Sequence, residues 1–274
     1  MQAIILDYDG VILRSEIPKA LGWVLAALYI LQRLPEEFFQ RLRQGERSAI
    51  SVAHSLCQRE YTDAVEQVTT LAGMTRAETR DRVWELLVLA SHYKGSLTRE
   101  DLEHCRNAIK DALIFELCEP IPGAMAFLQL ARHRGLSLGL VTQAARKDLE
   151  EQARSFHVPL HVFTHIECVG DVFYARMSLN KKAVGYALAC SHLGVRPAET
   201  VAVEDSTSGI EAANAVGVVT IGVKDPHNRQ DLSGAALVVP ADLGALAQDD
   251  VLTLFLREEP QAAIEQLRLS FREA

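Results

Sequence analysis

A short strand-like segment at the start of the chain is separated from every other strand signal by a long helical stretch. Residues Gln2 to Leu6 form an apolar run that ends in an Asp-x-Asp-Gly motif beginning at Asp7, a pattern typical of a buried parallel strand followed by a turn. From Ile17 to Cys118 the hydrophobic pattern is helical throughout. The first strand must therefore pair with strands that come much later, and we expect the helices to be an insertion.

Strands and helices alternate in the second half of the chain. The periodicity predicts strands at 136–141, 162–166, 200–203, 218–223 and 236–239. Helices are predicted between them at 124–134, 146–156, 182–193 and 210–216. This succession of βαβ units predicts an α/β fold with a parallel sheet, with boundaries of the helical insertion near Arg14 and Cys118. Residues 242–274 are predicted to form further helices that pack on the core or mediate a dimer contact.

Composition excludes several classes of protein. The 28 basic and 36 acidic residues give a net charge of −8, so no electrostatic footprint for nucleic acid or an anionic membrane is present. The five cysteines are scattered without a C-x-x-C pair, and the N-terminus carries no secretion signal, so we expect a cytoplasmic protein with free thiols. The longest apolar stretch, Ala20 to Leu34, is interrupted by polar residues and is interpreted as a buried helix.

Two carboxylates follow the first predicted strand. Asp7 and Asp9 are two positions apart, so their side chains can leave the backbone on the same side. One of them can attack phosphorus while the other protonates the leaving oxygen and later activates water. Gly10 permits a sharp turn that brings backbone amides close to phosphate oxygens. The alternative is that the motif is only a turn that ends a strand.

Further polar residues follow two later strands. Thr142 and Gln143 follow one of them, and Glu204 and Asp205 follow another. In an open parallel sheet the ligand crevice lies at the carboxyl ends of the strands, so these side chains are expected near Asp7. Thr142 is a candidate for binding a phosphoryl oxygen, with helix capping as its alternative role.

The paired acids suit a hard cation such as Mg²⁺. Since neighbouring side chains in a strand point in opposite directions, we expect Asp205 to be the direct ligand and Glu204 to act through water or to position a base. Capping of the next helix is the alternative for this pair. Lys181 and Lys182 precede the same strand, and an ammonium group near Asp7 would keep that carboxylate ionised; both lysines remain candidates.

These residues together resemble the motifs of the haloacid dehalogenase-like (HAD) superfamily of phosphohydrolases. The four motifs occur in order, as Asp7-Tyr8-Asp9-Gly10-Val11, Leu140-Val141-Thr142, Lys181 or Lys182, and Val203-Glu204-Asp205-Ser206-Thr207-Ser208-Gly209. The last motif is similar to that of the branch containing phosphoglycolate phosphatase and β-phosphoglucomutase. The resemblance implies a Rossmann-like, three-layer α/β/α core formed by residues 1–14 and 119–240, an all-helical cap at 15–118, and a C-terminal helical extension at 241–274.

The resemblance also implies a division of roles. Asp7 would be the nucleophile that forms an aspartyl phosphate, and Asp9 would be the general acid and base. Mg²⁺ would be held by Asp7, the backbone carbonyl of Asp9 and Asp205, with Glu204 beside them. The implied phosphate-binding residues are Gly10, Thr142, Gln143 and one of Lys181 and Lys182.

The chain departs from these relatives beyond the first motif. Arg14 replaces an acid, and Lys19 stands where the mutase carries a histidine. Candidate substrate contacts in the cap are therefore limited to Arg14, Lys19, Arg47 and His54. The departure at Lys19 favours a phosphatase over a sugar-phosphate mutase.

The leading interpretation is a Mg²⁺-dependent phosphatase for a small phosphorylated metabolite, acting as a monomer or homodimer without a nucleic-acid or membrane partner. A phosphomutase of the β-phosphoglucomutase type is the nearest enzymatic alternative. A binding module with little catalysis is the alternative from another class.

Overall fold

The computed structural model describes residues 3–71, 74, 76–171, 180–226 and 228–273. The chain forms two compact units. The α/β unit comprises Met1–Arg14, Glu119–Pro226 and Asp231–Ala274. The helical unit comprises Ser15–Cys118 and the short segment His227–Gln230.

The α/β unit is built on a parallel sheet with the strand order β5-β4-β1-β6-β7-β8. The strands are β1 (Ala3–Leu6), β4 (Ser137–Thr142), β5 (His165–Cys168), β6 (Thr200–Glu204), β7 (Val219–Lys224) and β8 (Leu237–Pro240). All residues of β1 and β6 are buried, as expected for strands that helices cover on both faces. The N-terminal strand thus lies inside a sheet whose other strands come after residue 136, which confirms the predicted fold class.

Helices flank this sheet. They are α7 (Ala124–His133), α8 (Arg146–Ser155), α9 (Lys181–Leu193), α10 (Thr207–Ala215), α11 (Asp249–Arg257) and α12 (Pro260–Glu273). On one face, Tyr186 and Ala189 of α9 pack with Ala212 of α10 against Ile5 and Ala202 of the central strands. The predicted C-terminal helices are α11 and α12, and both belong to the α/β unit.

The helical unit has a separate apolar core. Its helices are α1 (Glu16–Ile30), α2 (Glu36–Arg43), α3 (Arg47–Glu60), α4 (Thr62–Thr69), α5 (Arg76–Val83) and α6 (Arg99–Leu117), with a π-helical turn at Trp84–Leu89. Helix α1 is buried along most of its length and packs against α4 and α6. The interpretation of the apolar stretch as a buried helix is confirmed for Ala20 to Ile30, while residues 31–34 follow the end of α1. No helix in the described part of the chain is long and apolar enough to cross a membrane.

Two details of the fold differ from the sequence-based expectation. The fifth strand of the chain was expected at 162–166, but Leu160–Val162 forms a 3₁₀ turn and the strand runs from His165 to Cys168. The residues that join the two units were not expected to be strands, yet β2 (Leu13–Arg14) pairs antiparallel with β3 (Glu119–Pro120). Two-residue strands carry no periodicity, so the sequence offers no signal for them.

Candidate active site

The carboxyl ends of three adjacent strands bring the predicted site residues together. Strand β1 lies between β4 and β6, with Leu6 in register with Leu140 on one side and Val203 on the other. The backbone amide of Asp7 continues this ladder by donating to the carbonyl of Val203 at 3.0 Å. The residues that follow these three strands therefore lie at the same end of the sheet.

Three buried carboxylates form a cluster at this edge. Asp7, Glu204 and Asp205 each offer one oxygen, and these oxygens lie within 4.8 Å of one another. All three residues are at least 95% buried, with Glu204 fully enclosed. Burying like charges this close is unfavourable unless cations or hydrogen-bond donors compensate. The stability and the chemistry of the cluster therefore depend on the cations and hydrogen-bond donors around it.

Lys182 supplies positive charge to the cluster. Its Nζ lies 2.6 Å from Oδ2 of Asp7 and 2.8 Å from Oε1 of Glu204, and its side chain is 5% exposed. Helix α9 begins here because the side chain of Asn180 accepts hydrogen bonds from the amides of Lys182 and Ala183. Of the two lysines left open by the sequence, Lys182 is the one that contacts Asp7.

Tyr186 is a site residue that the sequence analysis missed. Its hydroxyl is fully buried and donates to Oε1 of Glu204, and burial together with the charge of Glu204 raises the pKa of Tyr186 well above its usual value. Tyr186 follows Lys182 by four residues, which places both side chains on the same face of α9. This four-residue spacing could have indicated Tyr186 as a site residue, but only if the face of α9 that meets the sheet had been known.

Burial controls the ionisation of Asp7. Burial raises the pKa of Asp7 to about 8, the Lys182 ammonium opposes this rise, and the Glu204 carboxylate adds to it. One carboxylate oxygen accepts from the amide of Tyr8 at 2.8 Å and the other from Lys182. The carboxylate is thus held in a fixed orientation, and additional positive charge near it would favour its ionised form.

The turn after Asp7 places Asp9 and Gly10 next to the cluster. Asp9 is half-buried and forms a bridge with Leu13, and the Gly10 amide donates to the Leu13 carbonyl at 2.7 Å. Gly10 has a φ of +74°, and a Cβ atom added to it would lie 1.9 Å from Oδ2 of Asp205. Glycine is therefore required here both for the backbone conformation and for the close approach of Asp205.

Replacing Gly10 with alanine is expected to destabilise the protein more than the same change at Gly135. Both glycines have positive φ, but a Cβ at Gly135 would meet nothing within 4 Å. Gly135→Ala should therefore lower the free energy of unfolding by only about 1 kcal/mol, and Gly10→Ala by about 1–3 kcal/mol more because Asp205 must move. Urea unfolding of both variants measures the difference. Equal losses would contradict the close contact with Asp205.

Thr142 lies at the end of β4 and is fully buried. Its hydroxyl oxygen accepts a hydrogen bond from the amide of Ala144 at 3.1 Å, and the residue that caps α8 is Ala145. The alternative role of Thr142 as the helix cap is therefore wrong: its hydroxyl stabilises the turn before the helix. Gln143 follows in this turn and is half-buried.

The four candidate cap contacts lie in different environments. Arg14 forms ion pairs with Glu119 and with Asp225, so it joins the two short strands to the end of β7. Lys19 pairs with Glu16, and Arg47 pairs with Glu116. His54 lies 3.2 Å from Nε2 of Gln58 and lines a cavity of the helical unit. Of the four, only His54 lines this cavity.

Comparison with known proteins shows to which family the chain is related. A model described as haloacid dehalogenase-like hydrolase matches residues 1–217. Validoxylamine A 7'-phosphate phosphatase of Streptomyces hygroscopicus subsp. limoneus is 29% identical over 43% of this chain and 54% of its own length. A protein of Drosophila melanogaster named Probable pseudouridine-5'-phosphatase is 24% identical over 68% of this chain and 84% of its own length. The match to the first of these curated relatives thus spans about half of that relative's length.

A solved structure has the same fold. It is titled a predicted phosphoglycolate phosphatase from Haemophilus somnus, with a TM-score of 0.64, 15% identity, and coverage of 90% of this chain and 96% of the other. The resemblance predicted from the four motifs is confirmed by the family match, which spans all four motifs. The chain belongs to the haloacid dehalogenase-like hydrolases.

Proposed function

We propose that this protein is a phosphatase that hydrolyses a small phosphorylated metabolite through an aspartyl phosphate on Asp7. The observation that carries the proposal is the buried carboxylate of Asp7, fixed by Lys182 and set beside Glu204 and Asp205. A buried, oriented carboxylate with an adjacent cation is suited to attack an electron-poor centre that itself carries negative charge.

The charges of the cluster support a divalent cation. Asp7, Glu204 and Asp205 offer oxygens within 4.8 Å of one another, which concentrates negative charge in a buried site. Oxygen ligands of this kind suit Mg²⁺, and we assign Asp7 and Asp205 as direct ligands, as the resemblance to the family implies, with Glu204 beside them in contact with Lys182 and Tyr186. When bound, Mg²⁺ would supply positive charge against the phosphoryl oxygens.

The reaction has two steps. In the first, an oxygen of Asp7 forms a bond to phosphorus, the bond from phosphorus to the substrate alcohol breaks, and Asp9 gives the leaving oxygen its proton. In the second, Asp9 takes a proton from water as that water attacks phosphorus. Inorganic phosphate leaves, and the carboxylate of Asp7 is restored. The position of Asp9 in the turn after β1 supports its assignment to both proton transfers.

Other residues of the site bind the phosphoryl group in this proposal. Lys182 offsets the negative charge of the phosphoryl oxygens as they approach Asp7. Gly10 permits the turn that lies beside the phosphoryl group. Thr142 and Gln143 supply polar groups at the end of β4. Lys181, which precedes Lys182 in the first turn of α9, is not assigned a role.

The names of the relatives support phosphate-ester hydrolysis. The two curated relatives described above are named as phosphatases, one for a phosphate ester of validoxylamine A and one for pseudouridine 5'-phosphate. We therefore propose a phosphorylated ring compound of similar size as the substrate class. All five cysteines are free thiols, which supports the proposal that the protein works in the cytoplasm.

Removal of divalent metal tests the function directly. We expect the purified protein to release inorganic phosphate from members of a panel of sugar phosphates, nucleoside monophosphates and phosphoglycolate when Mg²⁺ is present. Chelation with EDTA should reduce the rate at least about 10²-fold, and added Mg²⁺ should restore it. Full activity in EDTA would contradict the proposal, and an isomerised phosphosugar with little inorganic phosphate would identify a mutase instead.

A further inference from the structure

The helical unit contains a cavity of about 300 Å³, and the described residues that line it all belong to this unit. It is bounded by α1, α3 and α4. Its volume is at the lower end of the range of ligand pockets in proteins. The space therefore suits a single substituted ring, of the size of a cyclitol or a nucleoside.

The floor of the cavity is apolar. Leu21 of α1, Cys57 of α3 and Val65 of α4 line it, and each is more than 90% buried. Burial raises the pKa of the Cys57 thiol to about 12, so this group behaves as a small apolar side chain and not as a nucleophile. The floor offers a ligand apolar contact and no covalent chemistry.

The rim of the cavity carries hydrogen-bonding groups. His54 and Gln58 of α3 lie 3.2 Å apart, and Glu66 of α4 stands on the opposite helix. The Glu66 carboxylate is ion-paired with Arg229, which holds it in place. A fixed carboxylate has lone pairs for more than one donor, so it can also accept from hydroxyl groups of a ligand.

The charge of the lining restricts the ligand. Among the described residues that line the cavity there is no lysine or arginine, and the negative charge of Glu66 is balanced by its ion pair with Arg229. A phosphate or carboxylate group would therefore gain no cationic partner from the lining to offset the loss of its hydration. A ring with hydroxyl groups on its edge and an apolar face satisfies both the floor and the rim.

We propose that the cavity of the helical unit is a binding site for an uncharged, hydroxyl-bearing ring, with its apolar face on Leu21, Cys57 and Val65 and a hydroxyl donating to Glu66. This site is distinct from the carboxylate cluster of the α/β unit. The proposal concerns binding and does not rest on the proposed phosphatase activity.

Binding of two neutral rings to the full chain tests the proposal. Uridine and myo-inositol are titrated by calorimetry and ligand-observed NMR in the absence of Mg²⁺, with inorganic phosphate as a competitor. We expect at least one of them to bind, and we expect phosphate not to displace it. Failure of both rings to bind the wild-type protein, or displacement by phosphate, would overturn the proposal.

Variants locate the bound ring. Val65→Phe fills the cavity and should weaken binding at least about tenfold, while Val52→Phe, at a half-exposed position of α3 outside the cavity, should leave it within about twofold. Glu66→Gln retains the shape of the rim and should weaken binding by roughly tenfold, with the exposed Glu60→Gln as its control. If Val65→Phe fails to fold, Glu66→Gln decides. Unchanged binding in both cavity variants would refute the assigned site.

Kinetics distinguish two sources of such a ring. If the ring is the alcohol part of the substrate, Val65→Phe raises the KM for its phosphate ester and leaves hydrolysis of acetyl phosphate, which has no ring, unchanged. If the ring is a separate effector, Val65→Phe leaves both KM values unchanged and removes the effect of the added ring on the rate. Either result supports the site, whereas equal rises of KM for the ring phosphate and for acetyl phosphate would indicate general damage and contradict it.

Discussion

Replacing Lys182 with methionine is expected to reduce phosphate release by about 10²–10³-fold and to lower the free energy of unfolding by about 3–5 kcal/mol. Methionine retains the length and packing of the lysine side chain but removes its charge. Asp7 and Glu204 would then be buried without the ammonium group that contacts both of them. Steady-state kinetics and urea unfolding measure the two losses on the same variant.

The neighbouring lysine provides a matched control. Lys181→Met makes the same chemical change one residue earlier, at a half-buried position in the first turn of α9. We expect its rate to stay within about threefold of wild type and its stability to change by less than about 0.5 kcal/mol. Equal effects at the two positions would show that the contact between Lys182 and Asp7 does not determine function.

Asp7→Asn is expected to abolish phosphate release, with a loss of about 10⁴-fold or more, because an amide cannot act as the nucleophile. The protein should nevertheless fold. Asparagine retains the shape of the side chain, and loss of the ion pair with Lys182 is offset by relief of repulsion from Glu204 and Asp205. Stability should therefore change by only about 1 kcal/mol. Rapid acid quench followed by mass spectrometry should detect a phosphate adduct on Asp7 in the wild type and none in the variant.

An exposed acid serves as the control for this substitution. Glu150→Gln removes one negative charge from the surface of α8 and should leave the rate unchanged. Residual activity of Asp7→Asn close to that of Glu150→Gln would exclude Asp7 as the nucleophile. A phosphate adduct found on Asp9 instead would reverse the proposed roles of the two aspartates.

The main features of the fold were predictable from hydrophobic patterns alone. A short buried strand, a helical stretch and a succession of βα units permit few arrangements, and the predicted strands 200–203 and 218–223 lie within one residue of β6 and β7. The strand His165–Cys168 was predicted at the wrong residues because three of its four residues are only half-buried at the edge of the sheet, where the apolar pattern is weak. Edge strands bury fewer side chains, so their sequence is less constrained.

The site residues that directly follow strands were predictable from the sequence. Asp7, Glu204 and Asp205 are fixed by the strands that precede them, and the rule that ligands bind at the carboxyl ends of strands was enough to group them. The sequence did not decide between Lys181 and Lys182 and did not indicate Tyr186. The side chains of Lys182 and Tyr186 reach the cluster from a helix and do not follow a strand. Which face of that helix meets the sheet depends on packing, and α9 has weak amphipathic character, with Tyr186 and Lys182 buried alike.

The helical unit is not a continuous piece of chain. Besides residues 15–118 it includes His227–Gln230, and the side-chain amide of Gln230 donates to the carbonyls of Thr69 and Thr70 at the end of α4. Those carbonyls have no partner further along their own helix. A fragment cut at residues 15 and 118 would therefore lose the hydrogen bonds that terminate α4 and the ion pair from Arg229 to Glu66. We expect the fragment 15–118, expressed by itself, to be less stable than the same fragment with residues 227–230 grafted onto it.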